Sequence, residues 1–325
     1  MKKIYGLYSM VLGTALVMSY GVANAVPFTT GDIFASTGSG LVTHYDSTGT
    51  FLETISTAGS GYTTGSAFDS SGNLYVTNFS NGNFAQVTGP GDPHTASIVA
   101  SPGGSPESIV FDASGNYYVS NAGSSIFTKY DSSGNLLNSY TAAVEDRGID
   151  WLDLASDQTT MYYTSEGQNV YSYDVSTGTQ LGLFSTGVLT GSAAYALRVL
   201  DDGGMLVADS QTIVRLDSSG NIVQSYDTAS NNSWFALNLD PNGTSFWSGD
   251  FSTGQLVKFD IASGAVQQTI YTGSSDLYGV SVYGEITQGC PDCGGGDHQV
   301  PEPESLLLLG VGLAVLGAVR RRKRS

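Results

Sequence analysis

The sequence predicts an all-β protein whose body is a six-bladed β-propeller with four-stranded blades. Charged residues make up only 13% of the 325 residues, while 42 glycines and 19 tyrosines indicate short strands joined by tight turns. An eleven-residue phrase, FDSSGNLYVTN at 68–78, returns 43 positions later as FDASGNYYVSN at 111–121. A second phrase, built around Asp-x-x-Gly, recurs with the same period. Four short strands in about 43 residues are typical of one propeller blade.

The second phrase predicts the outer hairpin of each blade. Its aspartate accepts a backbone hydrogen bond at the first turn position, and its glycine adopts the left-handed conformation at the last. The last three steps between these aspartates are 43 residues each, and the 85-residue gap after the first leaves room for a degenerate copy at 84–99. The aspartates are Asp46, Asp131, Asp174, Asp217 and Asp260.

The first phrase, when loosened, occurs six times and predicts the second strand of each blade. The copies lie at 31–37, 72–78, 115–121, 159–166, 203–209 and 243–250. The chain therefore begins with a second strand, while a sixth first strand, YGVSVYG at 278–284, appears only at the end. We expect the segments 31–37 and 278–284 to pair and close the ring, so that the propeller spans residues 28–286. An open solenoid is the alternative, but it does not explain the offset ends. The phrases resemble those of NHL and YVTN-type repeat propellers.

The two ends of the chain predict export. Residues 1–25 carry two lysines, an apolar centre and an Ala-Asn-Ala ending, so we expect a signal peptide cleaved after Ala25. The segment Leu306–Val319 is apolar and precedes a basic cluster at 320–324. Because basic residues tend to stay cytoplasmic, the body is expected on the periplasmic side of the inner membrane. Fourteen residues span roughly 21 Å as a helix, short of the usual ~30 Å, so this transmembrane helix is a marginal anchor that suits transient retention.

The C-terminal segment 300–325 resembles a PEP-CTERM sorting tail. It has Pro301, Glu302 and Pro303, then the apolar segment, then the basic cluster. The resemblance implies recognition by an exosortase, a membrane cysteine protease, with processing near Pro301–Pro303 and a final location at the cell surface or outside the cell. An ordinary single-pass anchor is the alternative.

The charge of the body restricts its partners. Between Val26 and Gln299 there are 27 acidic and five basic residues, a net charge of −22. A body this acidic repels nucleic acids and anionic surfaces. The negative charge therefore indicates either cationic partners or a contribution to solubility alone.

A ligand site is predicted on the face that carries the loops between fourth and first strands, where propellers usually bind ligands. One such loop and the strand after it concentrate Glu145, Asp146, Arg147 and Asp150, which form either a salt-bridged rim or a ligand contact. The starts of the first strands supply the candidate ligand-binding side chains Glu107, Arg147, Tyr195, Trp234 and Tyr278. The aromatic members offer flat surfaces for sugars or protein partners, or they fill the core.

The same positions allow a comparison with six-bladed lactonases of the gluconolactonase family, which hold a divalent metal on the axis. The positions of this sequence that approximately correspond to the metal ligands of that family are Ser66 and the five candidate ligand-binding residues named in the preceding paragraph. Glu107 matches a metal-binding glutamate of that family, whereas the other positions are not ligands and Arg147 would repel a metal. The three histidines, His44, His94 and His298, are not placed near the axis, which disfavours imidazole-based acid–base chemistry.

The ends of the second strands form a second candidate set, for a hard cation such as Ca²⁺, which prefers oxygen ligands. The residues are Asn78, Asn121, Glu166, Asp209 and Asp250, with Thr37 in the remaining blade. Second strands lie one step away from the axis, so all of these side chains are not expected to converge. The alternative is a structural role at strand-to-turn junctions.

Residues 287–299 are predicted to be a Gly-rich linker containing Cys290 and Cys293. In an exported protein this spacing favours a local disulfide, with intermolecular cross-linking as the alternative. A zinc site would normally show a second cysteine pair. Gly294–Gly296 are typical of a flexible spacer.

These observations favour an exported, non-enzymatic binding or matrix protein whose partner is an exopolysaccharide or an envelope protein. A secreted metal-dependent lactonase or other hydrolase is the alternative.

Overall fold

The structure is a computed structural model that describes residues 26–89, 94–185, 187, 189–229 and 232–295. Within these ranges, 24 strands form six four-stranded antiparallel sheets, which confirms the six-bladed propeller. No helix among the described residues is long and apolar enough to cross a bilayer. The predicted signal peptide with Ala25, and the predicted tail with Pro301, Glu302 and Pro303, lie outside the described residues.

Each blade runs from an inner first strand to an outer fourth strand. Blade 1 combines β24 (Gly279–Val282) with β1 (Ile33–Ser36), β2 (Leu41–Tyr45) and β3 (Phe51–Ser56). Blade 2 contains β4 (Ser66–Phe68), β5 (Leu74–Asn78), β6 (Asn83–Val87) and β7 (Ala96–Ala100). Blade 3 contains β8 (Pro106–Phe111), β9 (Tyr117–Asn121), β10 (Ile126–Tyr130) and β11 (Leu136–Thr141).

The remaining three blades repeat this order. Blade 4 contains β12 (Leu152–Leu154), β13 (Thr160–Tyr163), β14 (Tyr171–Asp174) and β15 (Thr179–Leu183). Blade 5 contains β16 (Leu197–Val199), β17 (Met205–Asp209), β18 (Thr212–Leu216) and β19 (Ile222–Tyr226). Blade 6 contains β20 (Trp234–Leu239), β21 (Ser245–Asp250), β22 (Gln255–Asp260) and β23 (Val266–Tyr271). One turn of 3₁₀ helix at Phe79–Asn81 follows β5.

The ring is closed in the way the offset ends of the sequence predict. Strand β24 pairs antiparallel with β1, with Ile33 opposite Val282 and Ser36 opposite Gly279. Each first strand also contacts the first strand of the next blade, including β24 with β4. The closure joins segments from the two ends of the body, so the inner ring has no open edge.

The outer turns follow the predicted Asp-x-x-Gly chemistry. In blade 3, the Asp131 carboxylate accepts the backbone N–H groups of Ser133 and Asn135, each at 2.9 Å. Gly134 takes a φ of 83°, a left-handed conformation that side chains disfavour. The hydrogen bond from the Asn135 side chain is the largest cause that lowers the pKa of Asp131. The strands on either side of the turn are thereby held in register as a hairpin.

The hydrophobic core lies between the blades. The inner and second strands are almost wholly buried, and the three tryptophans, Trp151, Trp234 and Trp247, are at most 1% exposed. Strand β5 is buried at all five positions because both faces of its sheet contact a neighbouring blade. The fourth strands are largely exposed on the outside of the ring.

We call the end of the ring with the loops between fourth and first strands the top face, and the opposite end the bottom face. On the bottom face, residues 285–295 fold back against the propeller. Gln158 Nε2 donates to the carbonyl of Gly289 at 2.8 Å, and the N–H of Gly294 donates to the carbonyl of Phe68 at 3.3 Å. Cys290 and Cys293 form a disulfide and are buried. The described part of the predicted flexible linker is therefore packed, because its glycines allow close contact with the blades.

This bottom segment fills the lower end of the axis. Glu285 pairs with Arg198 of β16, with Arg198 Nε donating to Glu285 Oε1 at 2.9 Å, and both side chains are at most 5% exposed. The remaining space beside them, bordered by Cys293 and Gly294, is about 20 Å³. A volume this small holds about one water molecule. Access to the axis is therefore from the top face.

Candidate functional site

The top face contains an axial cavity of about 620 Å³. It is bordered by the loops between fourth and first strands and by those between second and third strands. Its lining residues are Tyr62, Thr64, Phe79, Glu107, Arg147, Glu166, Ser192, Tyr195, Ser210, Gln211, Asn232, Ser233, Phe235, Phe251 and Tyr278. The volume is within the range of pockets for small ligands, and aromatic and charged groups are both present.

One side of the cavity is formed by five aromatic rings, which we call the aromatic wall. They are Tyr62, Tyr195, Phe235, Phe251 and Tyr278. Phe235 lies 4.7 Å from Tyr195 and 6.0 Å from Tyr278, measured between ring centroids. Tyr278 in turn lies 4.5 Å from Tyr62 and 4.9 Å from Phe251. The rings form a continuous surface that suits stacking on a flat apolar face of a ligand.

The other side contains the carboxyl groups of Glu107 and Glu166, with that of Asp150 next to them beneath the cavity lining. We call these three groups the acidic cluster. Glu107 and Asp150 are 2% and 0% exposed. Arg147 donates from Nη1 to Glu166 Oε1, and its guanidinium lies 5.9 Å from the centre of the Phe79 ring. Asp150 is within hydrogen-bonding reach of Glu166. The cluster therefore combines three acids with a single cation.

Several oxygens of the acidic cluster have no donor. Glu107 Oε2 and both carboxyl oxygens of Asp150 are buried and accept no hydrogen bond from an N–H or O–H group in the described part of the chain. Burial raises the pKa of Glu107 well above its ordinary value, and the neighbouring charges of Asp150 and Glu166 raise it further. Burial likewise raises the pKa of Asp150. Burial therefore favours the protonated form of both carboxyl groups, and a cation beside them would favour the ionised form.

Local irregularities in the first strands aim two of the side chains into the cavity. The pairing of β8 with β9 shifts register between Pro106 and Ile109, which is where Glu107 lies. The pairing of β20 with β21 shifts between Trp234 and Ala236, on either side of Phe235. A bulge redirects a side chain relative to the regular alternation of a strand. Glu107 and Phe235 therefore face the axis.

The loops of the second strands place further lining residues in strained backbone. Glu166 has a φ of 54° and Ser210 a φ of 51°, both in the left-handed region that costs a side-chain-bearing residue about 1–2 kcal/mol. In Glu166 this conformation is accompanied by the ion pair with Arg147 at the cavity.

Four of the five predicted ligand-binding residues line the cavity: Glu107, Arg147, Tyr195 and Tyr278. Trp234 does not. It is fully buried, its Nε1 donates to Asp227 at 3.2 Å, and its ring packs edge-on against Phe259 at 5.5 Å. Trp234 belongs to the core because the bulge directs the next residue, Phe235, to the axis instead.

The residues predicted from the ends of the second strands do not converge on a cation. Asn78 and Asn121 hydrogen-bond the loops that follow the fourth strands, with Asn78 Nδ2 donating to the carbonyl of Thr57 and Asn121 Oδ1 accepting from the N–H of Ser105. Asp209 accepts from the N–H of Gly191.

Asp250 and Glu166 complete this set. Asp250 accepts from the N–H groups of Ser233 and Ser252 at 3.1 and 2.9 Å. Within the described ranges, no group of three His, Cys, Asp or Glu side chains is arranged to hold a metal ion. Four of the five side chains thus attach loops to their blades, and only Glu166 reaches the cavity. The set does not fit Ca²⁺, because its members attach separate loops and do not come together as a group of ligands within the described residues.

The aromatic residues Tyr62, Phe235 and Phe251 were not predicted to line the site. Tyr62 lies in a glycine-rich loop and Phe251 follows the end of β21, so neither stands at a strand start where the candidates were sought. His44 lies away from the cavity, where its Nε2 and Nδ1 face Asp32 and Glu53 at 3.0 and 3.2 Å.

Comparisons with known proteins address the tail and the fold. A model of the PEP-CTERM protein-sorting motif matches residues 299–323, which confirms the predicted sorting tail. The motif implies export and sorting to the cell surface through an exosortase. A search of curated protein sequences returns no match.

Solved structures similar to this chain include a β-propeller domain. A chain in the crystal structure of a nidogen/laminin complex has a TM-score of 0.63 at 13% identity, covering 77% of this chain and 97% of that chain. The WD40 β-propeller domain of Doa1 has a TM-score of 0.57 at 14% identity, covering 80% of this chain and 86% of that chain. At these identities the likeness shows the fold alone.

Proposed function

We propose that this exosortase-sorted protein is a binding module that holds a sugar unit of an extracellular polysaccharide in its axial cavity without hydrolysing it. The observation that carries the proposal is the combination of the aromatic wall with the acidic cluster in one cavity of about 620 Å³. Sugars present flat C–H faces that stack on aromatic rings, and hydroxyl groups that donate to and accept from carboxyl groups.

The shape of the cavity supports binding of a single unit or a chain end. The lower end of the axis is filled by the segment from Glu285 to Gly294, so a ligand enters and leaves through the top face. Tyr62 and Phe251 at the mouth are 43% and 36% exposed, which leaves ring surface for neighbouring units of a polymer.

The test is a pull-down of the exported protein with the exopolysaccharide isolated from the same cells. Phe235→Ala and Tyr278→Ala should reduce retention at least tenfold while the circular dichroism spectrum stays that of the wild type. The matched control is Phe51→Ala, which removes an exposed ring from the outside of blade 1. Retention that is equal in all variants would contradict the proposal, and capture of an envelope protein instead would replace the polysaccharide by a protein partner.

The export part of the proposal has its own measurement. We expect the exported form to begin at Val26 and to end near Pro301–Pro303, with the protein located on the periplasmic side of the inner membrane before processing and at the surface or in the medium afterwards. Mass spectrometry of the envelope and medium fractions measures both ends. An exported form that retains the arginine cluster at 320–324 would be inconsistent with processing.

A second candidate function is hydrolysis, because the acidic cluster contains buried carboxyl groups with raised pKa values, a feature that is frequent in active sites. The specific form considered from the sequence is a metal-dependent lactonase. Among the positions that correspond to the axial metal ligands of such lactonases, Glu107 alone carries a carboxylate. The hydroxyl of Ser66 donates a hydrogen bond to the hydroxyl of Ser281 at 3.0 Å. Metal analysis together with assays of lactone and glycoside hydrolysis tests this function, and turnover by the wild type would replace the binding proposal.

A further inference from the structure

Glu107 lines the axial cavity and has a buried carboxyl oxygen, Oε2, that has no hydrogen-bond partner among the described residues. The carboxyl oxygens of Asp150 behind it have no N–H or hydroxyl donor among the described residues, and the neighbour within reach of Asp150 is the carboxyl group of Glu166. Unpaired acceptors inside a protein are costly, and a ligand that brings donors relieves that cost. A neutral sugar hydroxyl brings one donor together with acceptor lone pairs, whereas an ammonium group brings three donors and no acceptor.

The aromatic wall fits the same ligand. The Phe235 ring lies 4.7 Å from the Tyr195 ring and 6.0 Å from the Tyr278 ring between centroids, and all three line the cavity together with Glu107. Faces of aromatic rings attract cations, and rings combined with carboxylates form the usual surroundings of bound ammonium groups.

Arg147 shows how the cavity holds a cation that belongs to the chain itself. Its guanidinium is bound by Glu166 and lies over the Phe79 ring. The side chain is 44% exposed and neutralises one of the three acids. Among the described residues Glu107 and Asp150 form no ion pair, although the charge of Arg147 lowers the pKa of both. The three acids still outnumber this one cation, so the cavity accommodates a second positive charge.

The charge of the whole body acts in the same direction. With 27 acidic and five basic residues between Val26 and Gln299, the body attracts cations and repels anions. An acidic polysaccharide would meet this repulsion before it reached the cavity.

We propose that the axial cavity is specific for an amine-bearing sugar, with the ammonium group against Glu107 and the sugar ring against the aromatic wall. This inference rests on the proposed sugar-binding function and adds the identity of the recognised group.

Binding of such a ligand is linked to release of a proton. Glu107 faces Asp150 and Glu166, which raise its pKa, and Arg147, which lowers it; the phenols of Tyr195 and Tyr278 also interact with it. A cation stabilises the ionised form of Glu107, so wherever Glu107 is protonated in the free protein its carboxyl group loses the proton to the solvent when the ammonium group binds. Affinity should therefore rise with pH until Glu107 is ionised in the free protein as well.

The experiment is isothermal titration calorimetry on the exported protein with three matched probes. Glucosamine carries the amine on a sugar, N-acetylglucosamine is its neutral counterpart, and Nα-acetyl-lysine methylamide carries an amine without a sugar. We expect glucosamine to bind at least tenfold more tightly than N-acetylglucosamine, and to release a proton that is detected by repeating the titration in buffers of different ionisation enthalpy.

Variants connect the result to the cavity. Glu107→Gln should lower the affinity for glucosamine about tenfold and abolish proton release, and it should lower the affinity for N-acetylglucosamine much less, because the amide keeps one oxygen that accepts a hydrogen bond from a sugar hydroxyl. Asp276→Asn is the matched control, because it removes one exposed acidic charge from the top face outside the cavity lining. Tyr195→Leu is a second variant that should weaken both sugars and keep proton release.

The outcomes separate this inference from the proposed function. Equal or tighter binding of N-acetylglucosamine overturns the amine specificity and leaves sugar binding in place. Binding of the lysine derivative without either sugar supports recognition of the ammonium group and overturns the polysaccharide as partner. Loss of affinity in Asp276→Asn as large as in Glu107→Gln would assign the effect to overall charge and overturn the role of Glu107.

Discussion

The ion pair between Arg198 and Glu285 is expected to be a major contribution to the stability of the ring. Both side chains are nearly inaccessible, and Glu285 Oε1 accepts from Arg198 Nε at 2.9 Å and from the N–H of Leu239 at 2.7 Å. Glu285→Gln keeps the size of the side chain and an oxygen in the place of Oε1, but it removes the negative charge that compensates the buried guanidinium of Arg198. Removing one member of a buried pair costs about 3–5 kcal/mol.

The lower end of that range applies here, because Asp153 is close enough to interact with Arg198. Burial raises the pKa of Asp153 to about 6, so near neutral pH much of its charge is present and compensates Arg198 in the variant. We therefore expect a loss of about 3 kcal/mol, which corresponds to a decrease in Tm of roughly 6–12 °C for a domain of this size. The loss should increase as pH falls and Asp153 becomes protonated.

The assay is thermal and urea unfolding of the exported protein followed by circular dichroism. The control is Asp202→Asn, which breaks the exposed pair of Asp202 with Arg215 on the same face and should cost at most about 1 kcal/mol. If Glu285→Gln cost no more than this control, the buried pair would not be holding the C-terminal segment against the ring.

Three further predictions concern the fold and the cavity. Glu107→Gln should raise the free energy of unfolding, and the gain should grow as pH rises above about 4.5. Because burial raises the pKa of Glu107, the unfolded chain releases above that pH a proton that the folded protein keeps, which destabilises the wild type, whereas glutamine does not titrate. Unfolding curves at several pH values measure this gain, and an unchanged pH profile contradicts the prediction. Trp234→Ala should cost about 3–5 kcal/mol by creating a cavity in the core, whereas Phe235→Ala, at the partly exposed wall, should cost less and impair binding instead; the reverse order of stabilities would mean that the two roles are exchanged. Truncation after Gly273 removes β24 and should unfold the body, since β1 loses its partner on the inner side of the blade. A cooperative unfolding transition that survives in the truncated protein would show that closure of the ring is dispensable.

The architecture was predictable because it is encoded locally and repeatedly. The aspartates and glycines of the turns act within five residues, as at Asp131 and Gly134, and their spacing sets the number of blades. The pairing of β1 with β24 could be inferred as well, because the order of strands leaves β1 without a first strand and β24 without a second strand next to it in the sequence.

The composition of the cavity was predictable only in part, because it depends on contacts between distant segments. A register shift decides that Phe235 and not Trp234 faces the axis, and such a shift is set by hydrogen bonds to the neighbouring strand. The segment 285–295 has the composition of a spacer, yet Gly289 lies against Leu154 and the carbonyl of Phe111, and these contacts have no signature in the segment itself.

Closure of the ring also brings the two ends of the body to one place. Phe28 packs against Tyr283 with 5.7 Å between ring centroids, and Gly295 contacts the same tyrosine. Tyr283 follows β24 on the bottom face, whereas the cavity opens on the top face. A tether at either end of the body would therefore leave from the bottom face and keep the mouth of the cavity on the far side. Immobilisation through either end on a sensor chip should accordingly leave the cavity free for a bulky polymer.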